Sequence, residues 1–118
     1  MRVISGSLGG RLFDAPTSRR THPMSDKVRG SIFTTLGDLS GMSICDAYSG
    51  SGALAIEAIS RNAKSAVAIE ADPRVAKLIG ANLKALGISA KVKLIANKIE
   101  TWLAYSEDHF NVILADPP

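Results

Sequence analysis

Several scarcities in this chain narrow its function before any motif is read. It has one cysteine, so no internal disulfide can form. Cys45 lies in an apolar run, Ser43-Ile44-Cys45-Asp46, where burial would keep a thiol protonated and inert. The two histidines, His22 and His109, are far apart with no second histidine or cysteine beside either, and that pattern offers no zinc site. No apolar run approaches the ~20 residues that a spanning helix needs, and residues 1–30 hold no hydrophobic signal core. A cytoplasmic protein is expected. Repeats and low-complexity tracts are absent. With 118 residues, 46% hydrophobic and 21% charged, the chain reads as one domain, large enough to bury a core.

Charge is sparse overall but concentrated. The formal net charge is +3, yet residues 1–30 carry six basic side chains (Arg2, Arg11, Arg19, Arg20, Lys27 and Arg29) against Asp14 and Asp26. The rest of the chain carries eight basic and nine acidic side chains. A basic N-terminal segment of this kind would neutralise phosphates and give salt-dependent affinity for nucleic acid. The competing reading is a solvated face.

What is present has a clear order. Arg2-Val3-Ile4 and Arg11-Leu12-Phe13 flank a glycine-rich turn and predict a short hairpin over residues 2–13. The stretch 15–24, with Pro16 and Pro23, reads as a loop. A helix is expected from Ser25 to about Leu36, capped by Ser25, stopped by Gly37 and carrying an apolar stripe of Val28, Ile32 and Leu36. From Met42 onward, strands alternate with helices. Strands are expected at about 43–47, 66–70, 92–95 and 112–115, and helices at about 52–60, 73–87 and 98–105. The second of these helices opens with Asp72 as cap and Pro73 at its first position. Continuous apolar strands joined by helices argue a parallel α/β sheet covered on both faces, in the order three-two-one-four.

The chemistry is concentrated at the strand ends. Asp46 ends the first strand, and Gly50-Ser51-Gly52-Ala53 turns sharply into the following helix, where backbone can lie against a ligand. The spacing matches a dinucleotide fingerprint, and Glu70, ending the second strand, lies where an acid would bind ribose hydroxyls. A nicotinamide or flavin enzyme is therefore one reading. Asp46 shifts the balance. An acid there would repel a pyrophosphate but can receive the cationic amino group of a methionine moiety, directly or through water, while the helix start offers N–H donors to its carboxylate. S-adenosylmethionine is the expected cofactor. Its predicted contacts are Asp46, Tyr48, Gly50, Gly52, Glu70, Ala71 and Asn97, the last reaching the adenine edge or serving only as a turn residue.

Asp116-Pro117-Pro118 follows the fourth strand, beside the first. Exocyclic base amines are poor nucleophiles because the lone pair is delocalised. A carboxylate and a proline carbonyl that both accept from the amine would favour a pyramidal nitrogen aimed at a methyl donor, so orientation and desolvation do most of the work. Asp116, Pro117 and Pro118 are the expected catalytic residues.

These residues resemble those of the bacterial 16S rRNA guanine-N2 methyltransferase family, within the class I methyltransferases. The resemblance runs the whole chain: Met1-Arg2-Val3-Ile4-Ser5-Gly6 with Gly9-Gly10-Arg11, then Thr21-His22-Pro23-Met24-Ser25-Asp26-Lys27-Val28-Arg29, then Asp46 to Leu54 with Glu57-Ala58. It implies a Rossmann-like core at 41–118 preceded by an RNA-contacting hairpin, loop and helix at 1–40. It further implies a guanine N2 amine of small-subunit rRNA as substrate, free or within an assembling 30S particle, and a segment from Pro23 to Arg29 bordering the cofactor. His22 and Met24 stand where the family has Arg and Thr. The family also continues beyond the Pro-Pro with an aromatic residue and further strands. The chain is accordingly expected to be a fragment with an exposed fourth strand, prone to self-association and weak in methyl transfer. The alternatives are a DNA adenine or cytosine amino methyltransferase, since an Asp-Pro-Pro turn suits all three amines, and a noncatalytic RNA-binding module.

Overall fold

The computed structural model describes residues 1–17 and 24–117. Strands β1 (Ser43–Asp46), β2 (Ser65–Glu70), β3 (Val92–Ala96) and β4 (Val112–Leu114) pair in parallel in the order β3-β2-β1-β4. Helices α1 (Asp26–Leu36), α2 (Ala53–Ser60), α3 (Pro73–Ala85) and α4 (Ile99–Tyr105) fill the intervals. The expected caps hold. Ser25 Oγ accepts from Val28 N–H, Gly37 ends α1 at φ +73°, and Asp72 accepts from Arg74 N–H with Pro73 at the first helical position.

The two sheet faces are covered unequally. Ile44, Ala66 and Ala68 meet α2 and α3 in the main core, together with Phe33 of α1. The opposite face has a smaller cluster of Cys45, Val67, Ile69 and Ile99, against which Trp102 and Phe110 pack. On that face, at the sheet edge, Ile113 of β4 pairs with Cys45 and remains 65% exposed.

All eight residues of α2 are buried, as suits a helix apolar on every side. The sheet covers one side; residues 1–13 strap the other. The expected hairpin is a minimal ribbon with a single bridge, Arg2 to Leu12, supported by Val3 N–H donating to Arg11 O at 2.9 Å and Gly10 N–H to Val3 O at 2.8 Å. It is tied down by Glu57, the one acid of α2, whose carboxylate accepts from Ile4 N–H at 2.9 Å and Ser5 N–H at 3.1 Å. Ser60 Oγ donates to Ser5 O and accepts from Leu8 N–H. Gly6 lies so close to α2 that a Cβ would stand 1.9 Å from Ser60 O, at φ +88°. Farther along, Asn82 of α3 exchanges two hydrogen bonds with the backbone of Asp14.

Two expectations for α1 are corrected. Val28 is 49% exposed, and the helix turns Arg29 and Phe33 inward, with Ile32 and Leu36 only half-buried. Arg29, expected to bind RNA, is fully buried. Its Nη2 donates to Arg2 O and to Asp26 Oδ1 at 3.1 Å, and its Nε lies 3.6 Å from Glu57 Oε1. The reason is Glu57. A carboxylate inside an apolar helix needs a cation, and Arg29 and Arg61 both supply one, Arg61 Nε at 2.8 Å.

Replacing Glu57 with Leu should therefore lower stability by about 3–5 kcal/mol, because Arg29 and the ribbon N–H groups lose their partner. Val28→Ala should cost no more than about 0.5 kcal/mol. Urea unfolding of both variants checks the pair, and equal losses would contradict this account of α1.

Candidate functional site

A cleft of about 690 Å³ opens at the carboxyl ends of the strands, where open parallel sheets place their ligands. β1 contributes the loop from Ala47 to Ser51, β2 contributes Glu70 to Asp72, Asn97 and Lys98 follow β3, and Asp116 with Pro117 follows β4. Because β1 lies between β2 and β4, the glycine loop stands between Glu70 and the Asp116 turn.

The glycine loop is held by its neighbours as well as by its own turn, in which Gly52 N–H donates to Ser49 O at 2.9 Å. Ser49 N–H donates to Ile69 O at 2.8 Å, and Gly50 N–H to Glu70 Oε1 at 2.9 Å. Glu70 Oε2 accepts from Asp72 N–H at 2.8 Å, so one carboxylate fixes both the glycine loop and the turn into α3. A carboxylate has about four acceptor positions; two remain for ribose hydroxyls. Asn97 Oδ1 accepts from Lys98 N–H, and its amide NH₂ is left to meet a ligand edge. Both expected roles of Asn97, turn residue and adenine contact, are compatible with this placement. Tyr48, half-buried, and Ala71 also line the cleft.

Two expected contacts are displaced. Gly52 is absent from the lining. It caps α2 at φ +82°, and its Cβ position would meet Ile79 Cγ2 of α3 at 3.1 Å, so the turn and helix packing call for glycine independently of any ligand. Asp46 is fully buried one layer beneath the loop. Its Oδ2 accepts from Ser49 Oγ at 2.8 Å, and its Oδ1 has no partner. Burial pushes its carboxyl up to about 6, helped by the charges of Glu70 and Asp116 and opposed by Ser49 and the Ala55 N–H. A buried carboxylate with one free oxygen beneath the turn into α2 fits a ligand that brings a cationic amine. The donor set as a whole (Asp46, Glu70, Asn97 and the α2 N-terminus) fits an adenosyl amino acid.

Cys45 is buried with its thiol pushed up to about 11, by burial first and then by the charges of Asp46 and Asp108, so it is no nucleophile. Of the expected nucleic-acid contacts, Lys27 is exposed and Arg2 stands 3.8 Å from Asp26 with most of its side chain in solvent. Arg11 is exposed, yet its Nη2 donates to Ala85 O at the end of α3. Arg19, Arg20 and Pro118 lie outside the described residues. Met24 and Arg29 of the wall belong to the segment from Pro23 to Arg29 that the resemblance placed beside the cofactor, whereas Leu54 was not expected as a lining residue. For the burial of Arg29 there was a signal, the acid Glu57 inside an otherwise apolar helix, which calls for a buried cation.

The protein named "Putative rRNA methyltransferase YlbH" of Bacillus subtilis is 37% identical over 122 residues, covering 100% of this chain and 66% of its own length. Ribosomal RNA small subunit methyltransferase D of Escherichia coli is 33% identical over 119 residues, covering 100% and 60%. The chain thus spans slightly less than two thirds of these relatives. The solved structure of "Putative methyltransferase yhhF" from Escherichia coli superposes with a TM-score of 0.91 at 32% identity, over 100% of this chain and 64% of that one. The fold is accordingly the Rossmann-like sheet of class I methyltransferases. The family model described as conserved hypothetical protein 95 matches residues 1–118, and the chain belongs to that family, with relatives that bear the names of ribosomal RNA methyltransferases.

Proposed function

We propose that this chain is the cofactor-binding part of a cytoplasmic S-adenosylmethionine-dependent methyltransferase acting on the exocyclic N2 amine of a guanine in 16S rRNA. The observation that carries the reading is the sequence of strand ends around one cleft: an acid-backed glycine loop on β1, Glu70 on one side and Asp116-Pro117 on the other. The names of the relatives support rRNA over DNA as the substrate.

When bound, S-adenosylmethionine supplies an electrophilic methyl group. The residues of this chain do the rest by placement. Glu70 offers its free acceptor positions to ribose hydroxyls while keeping the glycine loop in register. Asp46 supplies negative charge beneath the amino group. Asp116 accepts from the target amine and holds its lone pair away from the ring, and it is exposed at the cleft where a base can reach it. An RNA target must present that base unpaired and unstacked, since its N2 amine is otherwise committed to cytosine and the face from which the lone pair attacks is covered by the neighbouring bases.

Isothermal titration with S-adenosylmethionine, with NAD as control, tests the cofactor. Saturable binding of the first alone is expected. Asp116→Ala should leave that affinity within about twofold, while transfer to 16S rRNA, wherever it is measurable, falls by about 100-fold or more. Parallel loss of both would refute the division of roles.

Burial holds the Asp46 carboxyl up at about 6 in the folded chain, above its ordinary 3.8. Between those pH values the folded state holds the proton more tightly, so stability from this group is full below about pH 4 and falls as pH rises toward 6. Asp46→Asn should therefore raise stability at pH 7 by on the order of 2–3 kcal/mol and flatten the loss between pH 4 and 6. Cofactor binding should weaken at the same time. Urea unfolding at pH 4 and pH 7, together with the titration, reads both effects.

Removing charge at Arg2 and Lys27 together should lower affinity for a 16S rRNA fragment and reduce the salt slope by about 1–2. An unchanged slope in fluorescence anisotropy would return them to the solvated face.

A further inference from the structure

Among the described residues, three buried side-chain nitrogen or oxygen atoms have no hydrogen-bond partner: Arg29 Nε, Arg29 Nη1 and Asp46 Oδ1. They belong to two groups of opposite charge: Arg29 in the cleft wall, and Asp46 beneath the loop that lines the cleft. Arg29 lines the wall with Met24, Ala53 and Leu54; Asp46 lies under the Ser49-Gly50 loop that enters α2. We infer that Arg29 Nη1 is the anchor for an α-carboxylate, so that the cleft accepts adenosyl ligands that carry a complete amino acid and discriminates against those that lack the carboxylate. This rests on the cofactor reading above and adds a residue to it.

The physical argument begins with the guanidinium. It is planar, permanently charged and fully buried, and its other arm is committed: Nη2 donates to Arg2 O and Asp26 Oδ1. The neighbouring anion cannot complete it. Glu57 already accepts from Ile4 N–H, Ser5 N–H and Arg61 Nε, and it reaches Arg29 only at 3.6 Å. Nη1 is therefore a buried donor with no partner, in a residue that belongs to the cleft wall, at a cost that a ligand carboxylate reaching it would remove.

Charge along the cleft gives the orientation. Glu70, Asp72 and Glu100 outweigh Lys98 at the β2 and β3 end, whereas the partnerless arm of Arg29 and the first-turn N–H groups of α2 offer hydrogen-bond donors at the other. A ligand whose ribose sits at Glu70 directs its amino-acid tail toward Arg29, with the ammonium toward Asp46 and the carboxylate toward Nη1. Because the guanidinium is closed to bulk water, engaging it requires the wall beside Met24 to give way as the ligand enters. The contact is then made at low dielectric, where it is strongest.

Titration calorimetry of the 118-residue chain with S-adenosylhomocysteine and with its decarboxylated analogue tests this. The wild-type chain should bind the first roughly 10- to 100-fold more tightly. In Arg29→Gln, checked for folding by circular dichroism and melting, that ratio should shrink to about threefold or less, while affinity for 5′-methylthioadenosine stays near the wild-type value. Where the variant does not fold, the Arg29 Nε–H resonance of the wild-type chain should shift with S-adenosylhomocysteine and not with the decarboxylated analogue. Equal binding of the two ligands by the wild type, an unchanged ratio in the variant, or an identical resonance shift with both ligands overturns the assignment and leaves the cofactor reading standing. Binding of none of the three ligands overturns both.

Discussion

The carboxylate of Glu57 is the constraint on which the rest of the architecture depends. It sits in the middle of a helix with no solvent-facing side, and an ionised carboxylate cannot be buried there unless its acceptor positions are filled. Four groups fill or approach them: Arg61 from the same helix, Arg29 from α1, and two backbone N–H groups from the ribbon. One side chain thereby joins the ribbon and α1 to the sheet domain, and the Ser60 and Asn82 hydrogen bonds add to the hold on the ribbon and the residue after it. Arg61 also lies over the Phe33 ring at 5.3 Å, which joins the ionic layer to the apolar core beneath α1. A wholly apolar α2 would pack against the sheet as well, but it would carry no polar instruction for where the ribbon and α1 belong.

That docking has a consequence at the cleft. Arg29 and Met24 belong to the wall only because α1 is pinned against α2, so the same ion cluster that orders the N-terminal segment completes one side of the ligand site. Glu70 plays the corresponding part on the opposite side. It holds the β1 loop and the β2 turn by one backbone donor each and retains acceptor positions facing the cleft. Two carboxylates, in α2 and at the end of β2, thus fix the loops of the site from behind, and residues between them remain available to a ligand.

Much of this was legible in the sequence, and the parts that were not have a common cause. The strand order and the helix limits at Ser25, Gly37, Asp72 and Pro73 follow from local rules, since caps, breakers and apolar runs act on their own neighbours. The fate of Arg29 does not. Periodicity counted Val28, Ile32 and Leu36 as the inner face of α1, but the face that turned inward is the one that meets Glu57, twenty-eight residues downstream. Pairings at that separation leave no local mark beyond an acid where apolar residues are expected. Gly52 shows the same limit from the other direction. The fingerprint spacing located it correctly at the turn, yet Ile79 of α3 disfavours a side chain there independently of any ligand.

Asp46 shows how the site and the fold compete. A carboxyl pushed up to about 6 by burial costs the folded chain stability at neutral pH, and Ser49 Oγ offsets only part of that by satisfying one oxygen. Asparagine would fit the same space without the charge. The residue makes physical sense as a charge kept in reserve beneath a cleft that receives a cation, because such a ligand would lower the carboxyl's titration point and recover the cost on binding. The partnerless arm of Arg29 has the same logic with the opposite sign. Both are unfavourable for folding alone, one in the cleft wall and one beneath its glycine loop, whereas both oxygens of Glu70 already accept from backbone. Under the proposed reading, a zwitterionic tail is what would satisfy both buried groups at once.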